Sequence, residues 1–88
     1  MRIKVRYFAR FRSLVGIGEE ELEVPEGTTV GELISLLKER HPVLREEVFA
    51  EDDDLADVNI SRNGSYASFD EVLEEGDVVA LFPPVSGG

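Results

Sequence analysis

The sequence predicts an α+β domain, in which one mixed sheet carries a main helix across one face. Three observations support this fold class: two segments alternate between charged and apolar residues, one segment has apolar residues at helical spacing, and a continuous apolar run lies near the end of the chain. In a chain of only 88 residues, the order strand, strand, helix and three short strands indicates a single sheet covered by a helix.

The first two predicted strands form a hairpin. Residues 2–9 alternate between charged and apolar side chains, the period of a half-buried strand whose charged side faces water. Residues 10–15 are interpreted as a turn or a short helix. The alternation resumes in residues 21–24 and stops at Pro25.

The main helix has a clear beginning and end. Thr29 followed by Glu32 is a capping-box pattern, and apolar residues then recur every three or four positions until His41 and Pro42 prevent continuation. One or two further helical turns are expected within residues 44–49.

Three short strands are predicted in the second half of the chain. Residues 58–60 read as a strand, Asn63-Gly64 is a strong hairpin signal, and residues 66–67 begin the returning strand. Residues 69–73 are interpreted as a helical turn. The continuous apolar residues 78–82 are typical of a strand in the centre of a sheet.

The composition excludes several function classes. The absence of cysteine excludes disulfides, cysteine redox chemistry and iron–sulfur clusters. The net charge of −10 argues against nucleic acid as a partner, since DNA and RNA bind basic surfaces. No segment resembles a signal peptide or a membrane span, so we expect a cytoplasmic protein without a membrane partner. Residues 51–54 are acidic but lack the ligand spacing of a calcium loop, and they are interpreted as a solvated loop.

The last six residues have the composition of a tail. Two prolines remove backbone donors and fix an extended backbone, so the predicted domain covers residues 1–82 and residues 83–88 protrude from it. Fully extended, this tail spans about 20 Å, which is enough to place a terminal carboxylate inside another protein. For an arbitrary protein, a terminal Gly-Gly would first be interpreted as a frayed end.

The chain resembles the MoaD-type sulfur carriers, the small subunits of molybdopterin synthase within the ubiquitin-like β-grasp group. It also resembles the small archaeal ubiquitin-like modifiers, which share the same ending. The resemblance implies a β-grasp fold of four to five strands whose last strand runs parallel to the first. The segments that carry it are residues 5–9 with Arg12, 14–16, 58–59, 68–70 with Leu73, and the closing run 76–88.

The resemblance also implies the chemistry of the tail. A partner adenylyltransferase, related to ubiquitin-activating enzymes, would use ATP to activate the Gly88 carboxylate, and a sulfur donor would convert it to a thiocarboxylate. The tail residues Pro83, Pro84, Val85, Ser86 and Gly87 would carry Gly88 into the large subunit of the synthase. There the sulfur would pass to cyclic pyranopterin monophosphate in molybdenum cofactor biosynthesis. The chain is therefore expected to bind no cofactor or metal and to be no enzyme on its own. His41 is interpreted as a helix cap or a surface residue.

A partner surface is predicted from the alternation of the first strand. Phe8 lies on the charged side of that strand, and Phe82 would lie beside it if the last strand is its neighbour. Tyr66 matches a third position of this surface by resemblance. The alternative is that these aromatic side chains complete a small core.

Other functions share the same tail. The activated Gly88 carbonyl could be attacked by lysines of target proteins, giving a protein modifier linked by isopeptide bonds. The thiocarboxylate could instead supply tRNA thiolation or thiazole synthesis. A β-grasp adaptor with an inert tail is the remaining alternative.

Overall fold

The computed structural model describes residues 1–49 and 58–84. The acidic residues 51–54 and the tail residues 85–88, for which the sequence made predictions, lie outside the described residues. The helices and strands are β1 (Arg2–Tyr7), α1 (Arg10–Val15), β2 (Glu19–Glu23), α2 (Val30–Arg40), α3 (Pro42–Glu47), β3 (Asn59–Arg62), β4 (Ser65–Tyr66) and β5 (Val78–Phe82).

The five strands form one mixed sheet in the order β2-β1-β5-β3-β4. Strand β1 pairs antiparallel with β2 and parallel with β5, and β5 pairs antiparallel with β3. The predicted α+β fold class, the mixed sheet and the central position of residues 78–82 are confirmed. Because β1 and β5 are parallel neighbours, their carboxyl ends meet at the same edge of the sheet.

Helix α2 crosses one face of this sheet. We call this face the inner face. The Thr29 side chain accepts a hydrogen bond from the Glu32 backbone N–H, and the Glu32 carboxylate accepts one from the Thr29 N–H, so the predicted capping box is present. Helix α3 begins at Pro42, earlier than predicted, because a proline is tolerated in the first turn of a new helix.

The core lies between α2 and the inner face of the sheet. Ile3, Val5 and Tyr7 of β1 alternate inward beside Val79 and Leu81 of β5, and all are almost completely buried. Burial of apolar side chains contributes about 1.5–3 kcal/mol each. The other core residues are Phe11, Leu22, Val24, Val30, Leu33, Ile34, Leu37, Leu44, Val48, Phe49, Ile60 and Leu73.

The helical turn predicted for residues 69–73 is wrong. This segment forms a turn and then a β-bridge between Val72 and Thr29. Its backbone carbonyls accept hydrogen bonds from the N–H groups at the start of α2: Val30 donates to Glu71 and Gly31 donates to Phe69. These long-range bonds replace the local bonds of a helix. A Cβ on Gly31 would lie 3.2 Å from the Phe69 carbonyl oxygen, so the close approach favours glycine.

No helix within residues 1–49 and 58–84 is long and apolar enough to cross a membrane.

Candidate functional site

The outer face of the sheet, opposite α2, is divided into two halves of different chemistry. On β1 and β2, cationic and acidic side chains face one another across the strand pair. Arg2 Nε lies 3.1 Å from Glu23 Oε1, and Lys4 Nζ lies 3.6 Å from Glu19 Oε2. Opposite charges that face one another across two antiparallel strands attract each other. We call this half, on β1 and β2, the charged half.

In the other half of the outer face, which we call the apolar half, β5 presents apolar side chains beside β3. The inward side chains of β5 are buried, whereas Val78, Ala80 and Phe82 are only partly covered. They border an open groove of about 480 Å³ on the outer face. The residues that line this groove are Arg6, Phe8, Ser61, Gly64, Val78, Ala80 and Phe82.

Three aromatic side chains cluster where β1 and β5 end. Phe8 and Phe82 line the same groove, and the Tyr66 ring lies 6.1 Å from the Phe82 ring, centroid to centroid. Phe8 is 39% exposed and Tyr66 is 74% exposed. The structure thus brings together all three residues of the predicted partner surface, and the exposures of Phe8 and Tyr66 do not fit a core position. Their role in partner binding stays a prediction.

The position of Phe8 is set by a tight turn between β1 and α1. The Phe8 N–H donates to the Leu81 carbonyl, and the Phe8 carbonyl accepts from the Phe11 N–H. Between them, Ala9 has φ 52°, a value that favours glycine. Such backbone strain costs about 1–3 kcal/mol and is concentrated at functional sites. The Arg6 guanidinium group also lies 5.0 Å from the centre of the Phe8 ring, a cation–π distance.

A polar cluster fixes the opposite end of β5. The buried Asp77 carboxylate accepts hydrogen bonds from Arg62 Nε at 2.7 Å, from Asn63 Nδ2 at 2.9 Å and from the Glu74 N–H at 2.8 Å. Burial opposes ionisation of Asp77, but the hydrogen bonds, from Asn63 first, outweigh it and lower the pKa of this carboxyl. The Asn63 side chain also accepts from the Val78 N–H, so the hairpin turn is tied to the start of β5.

A second polar cluster joins β1, β2 and the end of α2. The Glu20 carboxylate accepts a hydrogen bond from the Tyr7 hydroxyl at 2.6 Å and one from Arg40 Nε at 2.7 Å, and His41 Nε2 lies 2.6 Å from it. Burial opposes ionisation of Glu20, but these hydrogen bonds outweigh it and lower the pKa of Glu20. Burial and the hydrogen bond to Glu20 both raise the pKa of Tyr7. His41 also caps α2, because its N–H donates to the Leu37 carbonyl. The predicted capping position of His41 is confirmed.

Sequence reasoning missed both polar clusters, since each joins residues that are distant along the chain. The only local signals were the Asn63-Gly64 turn and the Gly76-Asp77 turn. Of the predicted tail, Pro83 is partly buried and Pro84 is exposed directly after β5. The roles of Val85, Ser86, Gly87 and Gly88, and the domain boundary at residue 82, stay predictions.

A protein-family model described as the ThiS family matches residues 5–88, which include the closing Gly-Gly and all of the described sheet except the first three residues of β1. The chain belongs to the ThiS family. Membership confirms the resemblance to MoaD-type, ubiquitin-like carriers on which the sequence interpretation rested.

Two curated relatives show how this ThiS-family chain compares with characterised proteins. It is 39% identical to small archaeal modifier protein 1 of Haloferax volcanii, over 94% of this chain and 97% of that protein. It is 35% identical to the molybdopterin synthase sulfur carrier subunit of Mycobacterium tuberculosis, over 100% of this chain and 99% of that protein.

Two solved structures resemble the whole ThiS-family chain. A Pyrococcus furiosus protein assigned as molybdopterin converting factor subunit 1 is 53% identical, with a TM-score of 0.83 over 97% of this chain and 99% of that one. A chain in the complex of subunits 1 and 2 of the Helicobacter pylori molybdopterin-converting factor is 26% identical. Its TM-score is 0.68, and the match covers 100% of both chains.

Proposed function

We propose that this chain is a sulfur carrier, the small subunit of a molybdopterin synthase. The observation that carries the proposal is the closing run Phe82-Pro83-Pro84-Val85-Ser86-Gly87-Gly88, which follows directly from a central strand beside an open apolar groove. Relatives that bear the name molybdopterin synthase sulfur carrier subunit match this chain along almost its whole length and support the proposal.

The proposed reagent is the Gly88 carboxylate. A carboxylate is a poor electrophile because its charge repels nucleophiles, so a partner adenylyltransferase first joins it to AMP with release of pyrophosphate from ATP. A sulfur donor at the oxidation level of sulfide then displaces AMP and leaves a thiocarboxylate. Gly87 and Gly88 lack Cβ atoms, which keeps the reacting carbonyl unhindered. The thiocarboxylate sulfur acts as the nucleophile toward cyclic pyranopterin monophosphate. Water then hydrolyses the acyl–sulfur bond, which leaves the sulfur on the pterin and regenerates the Gly88 carboxylate.

The groove is the proposed docking site for the large subunit. Phe8, Phe82 and Tyr66 lie at the point where the chain leaves the sheet toward the tail, so a partner bound there would receive the tail directly. In this division of labour the large subunit supplies the acid–base groups, and this chain supplies sulfur without a cofactor of its own. The similarity to a chain in the complex of subunits 1 and 2 from Helicobacter pylori supports such a partner.

Deletion of Gly88 tests the mechanism. We expect the truncated chain to lose sulfur transfer in an assay with the adenylyltransferase, a sulfur donor and the large subunit. Its melting temperature should stay close to that of the full chain, because a terminal residue buries little surface. Normal sulfur transfer by the truncated chain would contradict the proposal.

The state of Gly88 can be read directly from protein isolated from its own cells. A thiol-alkylating reagent followed by mass spectrometry of the terminal peptide should reveal an alkylated thiocarboxylate. Alkylation separates sulfur exchange from oxidation of Met1, which adds nominally the same mass.

A protein modifier is the second candidate function, and the 39% identity to small archaeal modifier protein 1 favours it. In that case a lysine amine of a target protein would displace AMP from the Gly88 adenylate and form an isopeptide bond. The same mass spectrometry would then find an unmodified carboxylate on the free chain and Gly88 attached to lysines of other proteins.

A further inference from the structure

A small cationic notch adjoins the apolar groove on the side of the turn between β1 and α1. Its volume is about 410 Å³, and Arg6 lies on the border between notch and groove and lines both. The notch is lined by Arg6, Tyr7, Phe8, Ala9, Arg12, Gly18 and Glu19.

The charges of this notch do not cancel. Glu19 is its one lining carboxylate, and that group is shared between Arg6 at 3.9 Å and Lys4 at 3.6 Å. Within residues 1–49 and 58–84, Arg12 forms no ion pair. The notch is therefore a local positive site at the end of an apolar groove.

Arg12 is an exposed residue of α1 whose side chain passes close to Gly18. It projects from α1 across the backbone of Gly18, where a Cβ would lie 3.4 Å from Arg12 Nε. The Gly18 carbonyl accepts the Tyr7 N–H at 2.8 Å, which fixes this stretch of backbone against β1. An arginine guanidinium group can form two parallel hydrogen bonds to a carboxylate.

We propose that the notch binds a carboxylate side chain of the large-subunit partner, with Arg12 as the principal contact, while the adjacent groove receives an apolar anchor of the same partner. The inference rests on the proposed function and deepens it, since it names the chemistry of the surface that docks beside Phe8. Charge complementarity supports it, because the notch offers an excess of cationic groups and continues directly into the groove through Arg6.

Binding of the large subunit from the same genome tests this inference. For the full chain carrying Arg12→Gln, we expect the Kd to rise roughly tenfold, since hydrogen bonds to charged groups are among the stronger ones. The dependence of the Kd on salt should become weaker, because one screened charge pair has been removed. Arg12→Lys should retain the salt dependence but recover only part of the affinity, since lysine cannot form the two parallel bonds.

Arg45→Gln is the matched control. Arg45 is an exposed arginine of α3, which packs on α1 and α2 away from the groove, so the same loss of charge should leave the Kd nearly unchanged. Equal Kd values and salt slopes for Arg12→Gln and Arg45→Gln would overturn the inference. If Phe82→Ala still weakens binding in that experiment, the groove remains the docking site. If Phe82→Ala also binds like the unaltered chain, the proposed docking face fails as well.

Discussion

The two faces of the sheet are made from the same strands, but one face forms the core and the other remains partly exposed. On the inner face, Val79 and Leu81 are fully buried under α2, whereas the alternate residues Val78, Ala80 and Phe82 are partly exposed on the outer face. The period-two alternation of a strand thus places stability and surface chemistry on adjacent residues. Substitutions one position apart should therefore affect different properties.

The outer face is itself asymmetric. In its charged half, cationic and acidic side chains form ion pairs across β1 and β2, and exposed pairs of this kind contribute little to stability, about 0–1 kcal/mol each. Its apolar half remains uncovered at the end where the chain leaves the sheet. An exposed apolar groove promotes aggregation unless a partner covers it. We therefore expect a partner to bind the apolar half of the outer face.

Leu81→Ala is expected to cause a large loss of stability. The side chain is fully buried, so truncation removes apolar contacts and leaves a cavity, and the free energy of unfolding should fall by about 2–5 kcal/mol. Urea unfolding followed by circular dichroism measures the loss. A decrease below about 1 kcal/mol would mean that the inner face is not the main source of stability.

Phe82→Ala, one residue away, is expected to act mainly on binding. Truncation of an aromatic residue at the centre of an interface typically costs about 2 kcal/mol or more of binding free energy. The Kd for the large subunit should therefore rise by about 30-fold or more. The loss of folding stability should be smaller than for Leu81→Ala, since the ring is only partly covered. Titration calorimetry and urea unfolding on the same protein separate the two effects. Equal losses of binding and folding energy would instead assign Phe82 to the core.

Local patterns explain which parts of this fold were predictable. The alternation predicted over residues 2–9, the capping box at Thr29 and Glu32, and the apolar run of β5 are each complete within a few residues. The capping box and the β5 strand are confirmed, and the first strand is confirmed over residues 2–7 but ends before the turn at Ala9. The segment 69–73 was misjudged because its hydrogen-bond partners lie at the start of α2, about 40 positions earlier along the chain.

For the candidate site, too, the features set by local patterns were predictable and those set by long-range contacts were not. The outward direction of Phe8 followed from strand alternation, but its place beside Phe82 required the parallel pairing of β1 and β5, which the family resemblance implied. The notch of Arg6 and Arg12 depends on the turn at Ala9, and no local rule places an alanine at a φ of 52°. Tertiary contacts impose that conformation.

Asp77→Asn tests the cluster that anchors the start of β5, and its effect should depend on pH. The folded state lowers the pKa of Asp77 below its ordinary value of 3.8, so the ionised carboxylate adds stability at neutral pH. The amide retains the size of the side chain but cannot satisfy the same donors, and we expect a loss of about 1–3 kcal/mol at pH 7. As the pH falls below about 5, the unfolded chain of the unaltered protein gains a proton before the folded one, so its advantage over Asp77→Asn should shrink continuously. Urea unfolding of both proteins between pH 7 and pH 2.5 measures this convergence. A constant difference over that range would show that the Asp77 charge does not contribute, and that only the geometry of the turn at Asn63 does.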